Sequence, residues 1–337
     1  MNMTEAMHLG TNELRGTLRN DVDMRRYTSW RAGGNVELMY QAADLEDLQL
    51  YLHSLPGSEP VLAVGLGSNL LVRDGGLRGT VLLLHAALTE LRLEKNGTIY
   101  AQAGIPGAKL ARFAANNNLC GGEFFAGIPG TVGGMLTMNA GCYGGETWCV
   151  VEQVQTLDRK GVLHKRLPTE YDIGYRHVER IVDQGLRIEH ESDPQSSILI
   201  PASQEFFVGA WFRLQQGDGE VSRKEIKTLL SKRIGSQPLN LPNAGSIFRN
   251  PQGDHAARLI EASGLKGRKM GGAQVSEKHA NFIVNVDHAT AADIENLIEE
   301  VRRIVKSQTG VELHPEVRIV GEHEKKLNKT ENEQKKK

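Results

Sequence analysis

The chain has 337 residues, and its 39% hydrophobic and 24% charged residues are typical of a soluble globular protein with two or three compact units. A formal net charge of -1 gives no electrostatic basis for binding nucleic acid or an anionic membrane. No apolar run is long enough to span a membrane, and residues 1–20 contain no signal-peptide core, so we expect a cytoplasmic protein. Cys120, Cys142 and Cys149 form no C-x-x-C pair, which predicts neither a disulfide framework nor a metal site.

The N-terminal two thirds of the chain are predicted to combine short strands with two helices. Residues 1–20 have no clear periodicity, so we expect a mobile N-terminal extension. Asp44 is predicted to cap one helix, with leucines along a single face, and a second helix is predicted over 107–118. Apolar runs bounded by turn residues predict strands at 36–40, 61–64, 70–72, 81–84, 91–93, 99–103, 150–157, 162–166 and 206–214.

The loop over residues 65–76 lies between two of these strands and reads GLGSNLLVRDGG. Gly65 and Gly67 allow positive φ and a close backbone approach, so successive amides can form a concavity that binds a phosphate. The pattern is not a dinucleotide fingerprint, because Leu70 occupies the third glycine position and a strand follows instead of a helix. From these residues alone, the loop is either a phosphate cradle or an ordinary glycine-rich turn.

Glycine is concentrated between Gly121 and Gly145, where the sequence supplies few side chains for packing. Backbone of this kind can lie closely against a large flat ligand, and residues 128–131 are predicted to form a tight turn that presents amides and a hydroxyl. The alternative is a set of irregular loops between strands, which would not ordinarily need so many glycines. We therefore favour a ligand site in this segment.

The C-terminal third is predicted to be a separate unit. Composition changes near residues 215–219, after a polar and irregular segment at 178–203 that we interpret as a surface excursion. Ser222 is predicted to open a helix through a capping box with Glu225, and Asp254 is predicted to cap the next helix.

The last regular elements are a strand at 282–286, a long helix from Thr290 to Gly310 and a closing strand at 316–320. The lysine-rich tail has almost no apolar content, so we expect it to be disordered.

Short motifs of distinctive composition follow one another in order between residues 20 and 321. They are YTSWRAGG (27–34), GLGSNLL (65–71), GIPGTVGG (127–134), NAGCYG (139–144), YR (175–176), AGSIFRNP (244–251), GGAQVS (271–276) and HPEVR (314–318). This ordered set resembles the UDP-N-acetylenolpyruvoylglucosamine reductase family, flavoenzymes that complete UDP-N-acetylmuramic acid for bacterial peptidoglycan. The chain is similar to the shorter subgroup of that family, which lacks an extra substrate-covering tyrosine loop.

The resemblance implies an α+β fold, with a two-part FAD-binding module of the vanillyl-alcohol-oxidase type followed by a C-terminal α+β substrate-binding domain. On this basis we expect an N-terminal extension at 1–20, the FAD-binding module at 21–215 with subdomains near 21–84 and 85–215, the substrate-binding domain at 216–322 and a disordered tail at 323–337. It also implies non-covalent FAD as the cofactor and NADPH as a co-substrate.

The resemblance further implies that both glycine-rich segments hold FAD. The implied pyrophosphate contacts are Gly65, Gly67, Ser68 and Asn69. The implied flavin wall consists of Gly127, Pro129, Gly130, Thr131, Gly133, Gly134, Asn139 and Gly141.

The implied reaction reduces UDP-N-acetylglucosamine enolpyruvate to UDP-N-acetylmuramate with a hydride that passes from NADPH through FAD. Charge develops on the α-carbon and spreads into the carboxylate, so the site needs a cation or donor there and a proton donor at the α-carbon. By resemblance Ser246 is the proton donor, Arg176 the cation at the carboxylate, and Glu316 a third catalytic residue that burial could keep protonated. From the residues alone they could be a Gly-Ser turn, a surface ion-pair arginine and a strand-edge carboxylate.

Further polar residues are expected to contact the substrate: Tyr143, Lys232, Arg233, Asn250 and His279. The two cations suit UDP phosphates, although Lys232 and Arg233 could equally be a solvated helix end. The chain departs from the family in two ways. The family usually has a serine two residues after the arginine that matches Arg176, and this chain has Val178 there. The segment at 178–203 is also longer than usual.

Two other functions stay open from the sequence. Another flavin oxidoreductase on this fold would often attach its flavin covalently, and Cys142 is the only candidate for attachment in the flavin segments. A non-catalytic nucleotide-binding protein could keep the fold, although the joint presence of Ser246, Arg176 and Glu316 argues against it. We expect a UDP-sugar enolpyruvyl ether as the small-molecule partner, with no nucleic acid, membrane or metal ion.

Overall fold

The N-terminal sheet mixes antiparallel and parallel pairing in the computed structural model, which describes residues 13–181 and 204–324. Its spatial order is β1 (Thr17–Asp23), β2 (Asn35–Gln41), β5 (Leu77–Leu83) and β3 (Val61–Val64). β1 is antiparallel to β2, whereas β5 is parallel to both of its neighbours. Helix α1 (Leu45–Ser54) packs on this sheet, where Tyr51 stacks on Tyr40. The predicted cap is confirmed, because the Asp44 carboxylate accepts from the Asp47 amide at 2.9 Å.

Strand β1 corrects the expectation of a mobile extension over residues 1–20. Residues 17–20 lie in β1 and pair with β2, beginning with Thr17 opposite Gln41. The side chains of β1 are mostly exposed, so backbone hydrogen bonds hold the strand and its sequence lacks the usual apolar alternation. Residues 1–12 lie outside the described part of the chain.

The second sheet is antiparallel and has five strands. Its spatial order is β12 (Leu163–Arg166), β11 (Val151–Asp158), β15 (Glu205–Phe212), β7 (Ile99–Gln102) and β6 (Leu91–Leu93). Helices α2 (Gly107–Asn116), α3 (Val132–Thr137) and α4 (Gly219–Ser236) share one hydrophobic core with this sheet. Phe125 and Phe212 meet edge to face in that core, with ring centroids 5.5 Å apart.

Helix α4 begins earlier than predicted. The Asp218 carboxylate accepts from the Glu220 amide and caps the helix, so the predicted capping box at Ser222 is wrong. Ser222 lies inside the helix, where its buried hydroxyl donates to Glu123 at 2.5 Å. This tertiary contact explains why a serine occupies position 222. Since α4 packs beside α2, the domain boundary expected near residue 215 stays a prediction.

The C-terminal unit packs two helices on a three-stranded antiparallel sheet. The sheet contains β17 (Lys269–Met270), β18 (Ala273–Val275) and β19 (Ile283–Asn285), and the helices are α5 (Ala256–Ala262) and α6 (Ala291–Thr309). The predicted ends of α6 are confirmed, because Thr290 and Asp293 form a capping box and Gly310 ends the helix with a φ of 74°.

The predicted cap of α5 at Asp254 is wrong. The Asp254 carboxylate accepts from the His255 amide and holds Arg258, whereas Asn250 Oδ1 accepts from the first helical amide, that of Ala256, at 3.1 Å. The Asp254 carboxylate therefore pairs with Arg258, and Asn250 satisfies the Ala256 amide.

Contacts between distant parts of the chain fix the C-terminal unit to the N-terminal sheet region. Strand β4 (Leu70–Val72) runs parallel to β20 (Arg318–Val320), which is shorter than the strand predicted at 316–320. The Asp74 carboxylate accepts from the Ala291 and Ala292 amides at the start of α6, where the helix dipole favours an anion. Arg73 forms a largely buried ion pair with Glu295 at 2.9 Å.

Three short two-stranded antiparallel pairings complete the described structure. Strand β8 (Leu119–Cys120) pairs with β16 (Gln215–Gln216), which is distant in the chain. The other two pairings are hairpins, of β9 (Gly141–Cys142) with β10 (Gly145–Glu146) and of β13 (Tyr171–Gly174) with β14 (His177–Arg180). Residues 178–180 therefore lie in a strand and not in the irregular excursion predicted for 178–203, of which residues 182–203 lie outside the described ranges. Within residues 13–181 and 204–324, no helix has the length and apolar character needed to cross a membrane.

Candidate active site

The two glycine-rich segments identified in the sequence lie directly against each other. A Cβ at Gly65 would collide with the Thr131 side chain, and a Cβ at Gly130 would lie 3.7 Å from Ser68 Oγ. Gly67 has a φ of 61°, and a Cβ there would collide with the Tyr27 carbonyl oxygen. The loop at 65–69 is thus packed tightly on one side, and only glycine fits at its two turning points.

A cavity of about 400 Å³ opens beside these loops. Its lining includes Ser68 and Pro129 from the loops, Arg31 from the 27–34 motif, Arg233 from α4, and Asn243 and Gly245 from the segment before Ser246. The lining contains two arginines and no carboxylate, so its electrostatic character favours an anionic ligand. Arg31 was missed as a site residue, although it lies within a motif that carries the family resemblance.

Arg233 is partly buried at the edge of the cavity. Burial lowers the pKa of its guanidinium, and the neighbouring Tyr143 and Cys142 side chains oppose that effect. Its Nε donates to Gln237 Oε1 at 3.0 Å. Lys232, the adjacent candidate, is exposed on the surface of α4. The structure therefore brings Arg233, but not Lys232, into the lining of the cavity.

Arg176 and Glu316 form an ion pair that joins the two halves of the molecule. Arg176 lies at the tip of the β13–β14 hairpin with a φ of 55°, and its Nε donates to Glu316 Oε1 at 2.6 Å. The other two guanidinium nitrogens donate to the Asn139 carbonyl at 3.3 Å and the Gly141 carbonyl at 3.1 Å. Three acceptors hold the plane of the guanidinium, which is the geometry that bidentate carboxylate recognition requires.

The carboxyl group of Glu316 is 14% exposed, and its titration depends on opposing effects. Burial raises the pKa of Glu316, while the Arg176 and Arg249 guanidinium groups act in the opposite direction. The net direction is upward. Arg249 was not singled out in the sequence, yet its Nε is buried without a hydrogen-bond partner in the described structure.

Backbone pairing brings Ser246 next to the segment that contains Glu316. The Glu316 amide donates to the Ile247 carbonyl at 2.7 Å, and the Arg249 amide donates to the His314 carbonyl at 2.9 Å. Ser246 precedes this pairing and follows Gly245, whose φ is 76°. Its side chain is half-buried, and its hydroxyl has no hydrogen-bond partner among the described residues. The hydroxyl is therefore available to a ligand.

Asn69 connects the phosphate loop to the same segment. Its Nδ2 donates to the Glu316 carbonyl at 3.1 Å, and its own carbonyl accepts from the Arg318 amide at 3.1 Å. The loop and the candidate catalytic glutamate consequently form one connected unit.

The remaining predicted wall residues differ in how much space surrounds them. Gly127 packs against the Cys142 and Tyr143 side chains, and Gly133 packs against Ala103. Gly134 has no atom within 4 Å of a Cβ position, so open space adjoins the start of α3. Gly141 pairs in β9, and Asn139 is buried with its amide bonded to other parts of the protein.

Two predicted substrate contacts have partners within the C-terminal unit. Asn250 caps α5 with its Oδ1 while the residue itself is exposed. His279 packs edge to face on Phe282 at 4.8 Å, and burial lowers its pKa, with Lys266 and Glu261 as the nearby charges. Among the described residues, neither Asn250 nor His279 bonds to Arg176 or Glu316.

Several non-glycine residues around the site have left-handed backbone conformations. Arg31, Asn139, Tyr143 and Arg176 have φ values of 54°, 39°, 52° and 55°. Such conformations are unfavourable for ordinary side chains and concentrate at functional sites, where the surrounding structure holds them. Tyr143 and Arg176 lie in the two-residue turns of the β9–β10 and β13–β14 hairpins.

The residues present fit an FAD cofactor. Glycines at 65 and 67 let the phosphate loop fold tightly beside the 127–134 segment, and open space lies at Gly134. A pyrophosphate needs amides and an absence of negative charge, and a flat ring system needs a backbone wall.

Comparisons with known proteins agree with this geometry. A family model described as an FAD binding domain matches residues 37–165, and one described as the C-terminal domain of UDP-N-acetylenolpyruvoylglucosamine reductase matches residues 237–320. The UDP-N-acetylenolpyruvoylglucosamine reductases of Thiobacillus denitrificans and Nitrosomonas eutropha are 55% and 54% identical to this chain. These matches cover 92% and 94% of this chain and 94% and 93% of the relatives.

A solved structure supports the same assignment. The crystal structure of UDP-N-acetylenolpyruvylglucosamine reductase from Thermus caldophilus matches with a TM-score of 0.71 and 28% identity, covering 90% of this chain and 98% of that one. The α+β fold is confirmed, with a two-part FAD-binding module of the vanillyl-alcohol-oxidase type and a C-terminal α+β domain. The resemblance drawn from the ordered motifs is also confirmed, and the chain belongs to the UDP-N-acetylenolpyruvoylglucosamine reductase family.

Proposed function

We propose that Arg176, Glu316 and Ser246 form the catalytic centre of this enzyme. Membership of the family makes the chain an FAD-dependent UDP-N-acetylmuramate dehydrogenase, which reduces UDP-N-acetylglucosamine enolpyruvate with NADPH in peptidoglycan precursor synthesis. The observation that carries the assignment of the centre is the Arg176–Glu316 ion pair beside the segment that begins at Ser246.

FAD, when bound, supplies the hydride chemistry, and the protein supplies position, charge and a proton. The residues proposed to hold it are Gly65, Gly67, Ser68 and Asn69 at the pyrophosphate. At the flavin they are Gly127, Pro129, Gly130, Thr131, Gly133, Gly134 and Gly141. Close contact between the two glycine segments supports this division.

Arg176 is proposed to stabilise the negative charge that develops on the substrate carboxylate. Its guanidinium uses one N–H on each nitrogen to contact Glu316, Asn139 and Gly141, and the second N–H of each terminal nitrogen remains for a ligand. A fixed cation of this kind costs no reorganisation when the charge appears.

Ser246 is proposed to donate a proton to the α-carbon of the substrate. A serine hydroxyl is a poor acid in water, so nearby donors or cations must stabilise its alkoxide. The Arg249 guanidinium, three residues after Ser246 in the chain, supplies a cation close to Glu316. The absence of a hydrogen-bond partner for the half-buried Ser246 hydroxyl among the described residues supports this role.

Glu316 is proposed to accept or share a proton at the same centre. Burial raises the pKa of Glu316, which brings its protonated form closer to the pH at which enzymes work. Its contact with Arg176 also orients that guanidinium.

The cavity beside the loops is proposed to receive the diphosphate end of the substrate. Arg233 and Arg31 both line it, and Tyr143 lies next to Arg233. Lys232, Asn250 and His279 stay proposals as substrate contacts. Binding of an anionic UDP-sugar agrees with the absence of carboxylates in the lining.

The expected module bounds and partners are also retained as proposals. We expect the FAD-binding module at 21–215, the substrate-binding domain at 216–322, a cytoplasmic location and no nucleic-acid partner. The net charge of -1 supports the last point.

Covalent flavin attachment is the distinguishing feature of the rival flavin oxidoreductase. Burial raises the pKa of the Cys142 thiol to about 11, and Sγ donates to the Phe124 carbonyl at 3.1 Å. Such a thiol is a poor nucleophile at neutral pH, which supports non-covalent FAD.

The test is a visible spectrum of the purified protein, followed by additions of NADPH and then the enolpyruvyl substrate. We expect a flavin band that acid releases, that NADPH bleaches and that the substrate restores with formation of UDP-N-acetylmuramate. Colour that stays with acid-denatured protein, or a bleached flavin that the substrate leaves bleached, would contradict the proposal.

A further inference from the structure

We propose that Asn139 is a positioning residue that holds Arg176 in its working orientation. The sequence motif suggested a cofactor contact for this asparagine. The structure gives its side chain a different set of partners, all within the protein. The inference rests on the proposed function of Arg176.

The backbone of Asn139 contacts the Arg176 guanidinium directly. The Asn139 carbonyl accepts from Arg176 Nη1 at 3.3 Å, and the Gly141 carbonyl accepts from Nη2 at 3.1 Å. Asn139 has a φ of 39°, a conformation that asparagine tolerates better than most residues with a side chain. This local conformation sets the direction of the carbonyl that faces the guanidinium.

The side chain of Asn139 bonds two segments that lie beside that carbonyl, residues 146–148 and the β13–β14 hairpin. Its Nδ2 donates to the Gly174 carbonyl at 3.0 Å and to Glu146 Oε2 at 2.9 Å, while its Oδ1 accepts from the Trp148 amide at 3.1 Å. Gly174 belongs to the β13–β14 hairpin, whose tip contains Arg176. The amide therefore braces the hairpin against the loop that supplies two of the three guanidinium acceptors.

These contacts leave the Asn139 side chain without a free donor. A primary amide has two N–H donors, and Gly174 and Glu146 use both. Asn139 is also only 2% exposed. Any effect of its side chain on the reaction must pass through the hairpin and the guanidinium it holds.

The experiment compares Asn139→Ala in two backgrounds, wild type and Arg176→Ala, using single-turnover reoxidation of reduced flavin by the enolpyruvyl substrate. Displacement of a catalytic group by about 1 Å can cost on the order of 100-fold in rate. We expect Asn139→Ala alone to slow reoxidation by about 10- to 100-fold. Flavin content and the rate of flavin reduction by NADPH should stay within about 2-fold of wild type.

In the Arg176→Ala background, Asn139→Ala should slow reoxidation by less than about 2-fold. The effects of two substitutions on the rate do not add when both act through the same group. Asn118→Ala is the matched control. Asn118 is also left-handed, with a φ of 55°, and its side chain also bonds a backbone amide, that of Gly219. We expect the control to leave reoxidation unchanged.

Glu146→Ala provides a second variant if Asn139→Ala does not fold, since it removes one bond of the brace and keeps the asparagine. It should slow reoxidation several-fold in wild type and not in the Arg176→Ala background. Loss of flavin from Asn139→Ala, or equal rate losses in both backgrounds for either variant, would overturn the inference. If wild-type protein fails to reduce the enolpyruvyl substrate, the proposed function fails instead.

Discussion

Arg176 and Glu316 are 140 positions apart in the chain, yet Nε of the arginine donates to Oε1 of the glutamate at 2.6 Å. Their side chains are only 15% and 14% exposed. The contact depends on the β4–β20 pairing and on Asn69, which binds the Glu316 carbonyl. Formation of the proposed catalytic centre is therefore coupled to docking of the C-terminal unit on the phosphate loop.

Arg176→Lys tests the need for a planar cation at this position. Lysine keeps the charge but cannot contact Glu316, Asn139 and Gly141 in one plane. We expect reoxidation of reduced flavin by the enolpyruvyl substrate to slow by about 100-fold. Reduction of the flavin by NADPH should change by less than about 2-fold. Stopped-flow absorbance of the two half-reactions measures both rates.

A surface substitution controls for a general effect of losing an arginine. Arg25→Lys changes an exposed arginine that pairs locally with Asp23. It should leave both half-reactions at wild-type rates. Equal slowing of reduction and reoxidation in Arg176→Lys, with normal flavin content, would show that the guanidinium does not act on the substrate carboxylate.

The glycine pattern singled out the two segments proposed to hold FAD from the sequence, but their mutual contact could not be derived. Gly65 and Thr131 lie 66 positions apart and meet only through the tertiary fold. The family resemblance likewise implied Arg176 and Glu316 as residues of two separate motifs. Long-range packing, which no short window contains, decides that they form an ion pair.

Ser246→Ala tests the proposed proton donor. The hydroxyl has no hydrogen-bond partner in the described structure, so its removal should cost less than the roughly 0.5–1.5 kcal/mol of a typical net hydrogen bond. Loss of a positioned acid should slow product formation by about two to four orders of magnitude. Ser246→Cys should recover part of that rate, because a thiol is the stronger acid.

The measurement for Ser246 is single-turnover oxidation of reduced flavin by the enolpyruvyl substrate, beside the melting temperature of each variant. Flavin content and reduction by NADPH provide the internal control. If Ser246→Ala forms UDP-N-acetylmuramate at the wild-type rate, Ser246 is a turn residue and another group provides the proton.

Glu316→Gln tests the direction in which burial shifts the glutamate pKa. A folded-state pKa above the unfolded value means that the Glu316 contribution to stability is complete below the unfolded pKa and is lost as pH rises through the folded pKa. Glutamine does not ionise. The melting temperature of wild type minus that of Glu316→Gln should therefore decrease between pH 4 and pH 7.5.

Glu152→Gln, at an exposed ion pair with Arg213, controls for the loss of a surface carboxylate. A melting-temperature difference that increases with pH for Glu316→Gln would mean that pairing with Arg176 outweighs burial. In that case Glu316 acts as a fixed carboxylate and not as a proton-sharing group.

Helix starts show where local sequence signals succeed and where they fail. Thr290 and Asp293 form a capping box at the predicted helix start, although the Asp293 carboxylate also accepts from the Gly272 amide. Ser222 has the same pattern with Glu225, yet its hydroxyl bonds the buried Glu123 and the helix begins earlier. The cofactor contact indicated for Asn139 stays a prediction, and Gly174 and Glu146 occupy the two donors of its side-chain amide.

Gly134→Ala separates flavin binding from protein stability. Gly134 lies in α3 with no atom within 4 Å of a Cβ position and without a positive φ. Alanine in a helix is favoured over glycine by about 0.5–1 kcal/mol, so the flavin-free protein should become equally or more stable. If this open space receives the flavin, the added methyl group should raise the dissociation constant for FAD by about 10-fold, or about 1.4 kcal/mol.

Gly235→Ala is the matched control, because Gly235 also lies in a helix, α4, with no atom within 4 Å of a Cβ position. It should raise stability without changing FAD affinity. Fluorescence titration of flavin-free protein with FAD measures the dissociation constants, and thermal unfolding of the same samples measures stability. An unchanged dissociation constant for Gly134→Ala, with the expected gain in stability, would remove Gly134 from the proposed flavin wall.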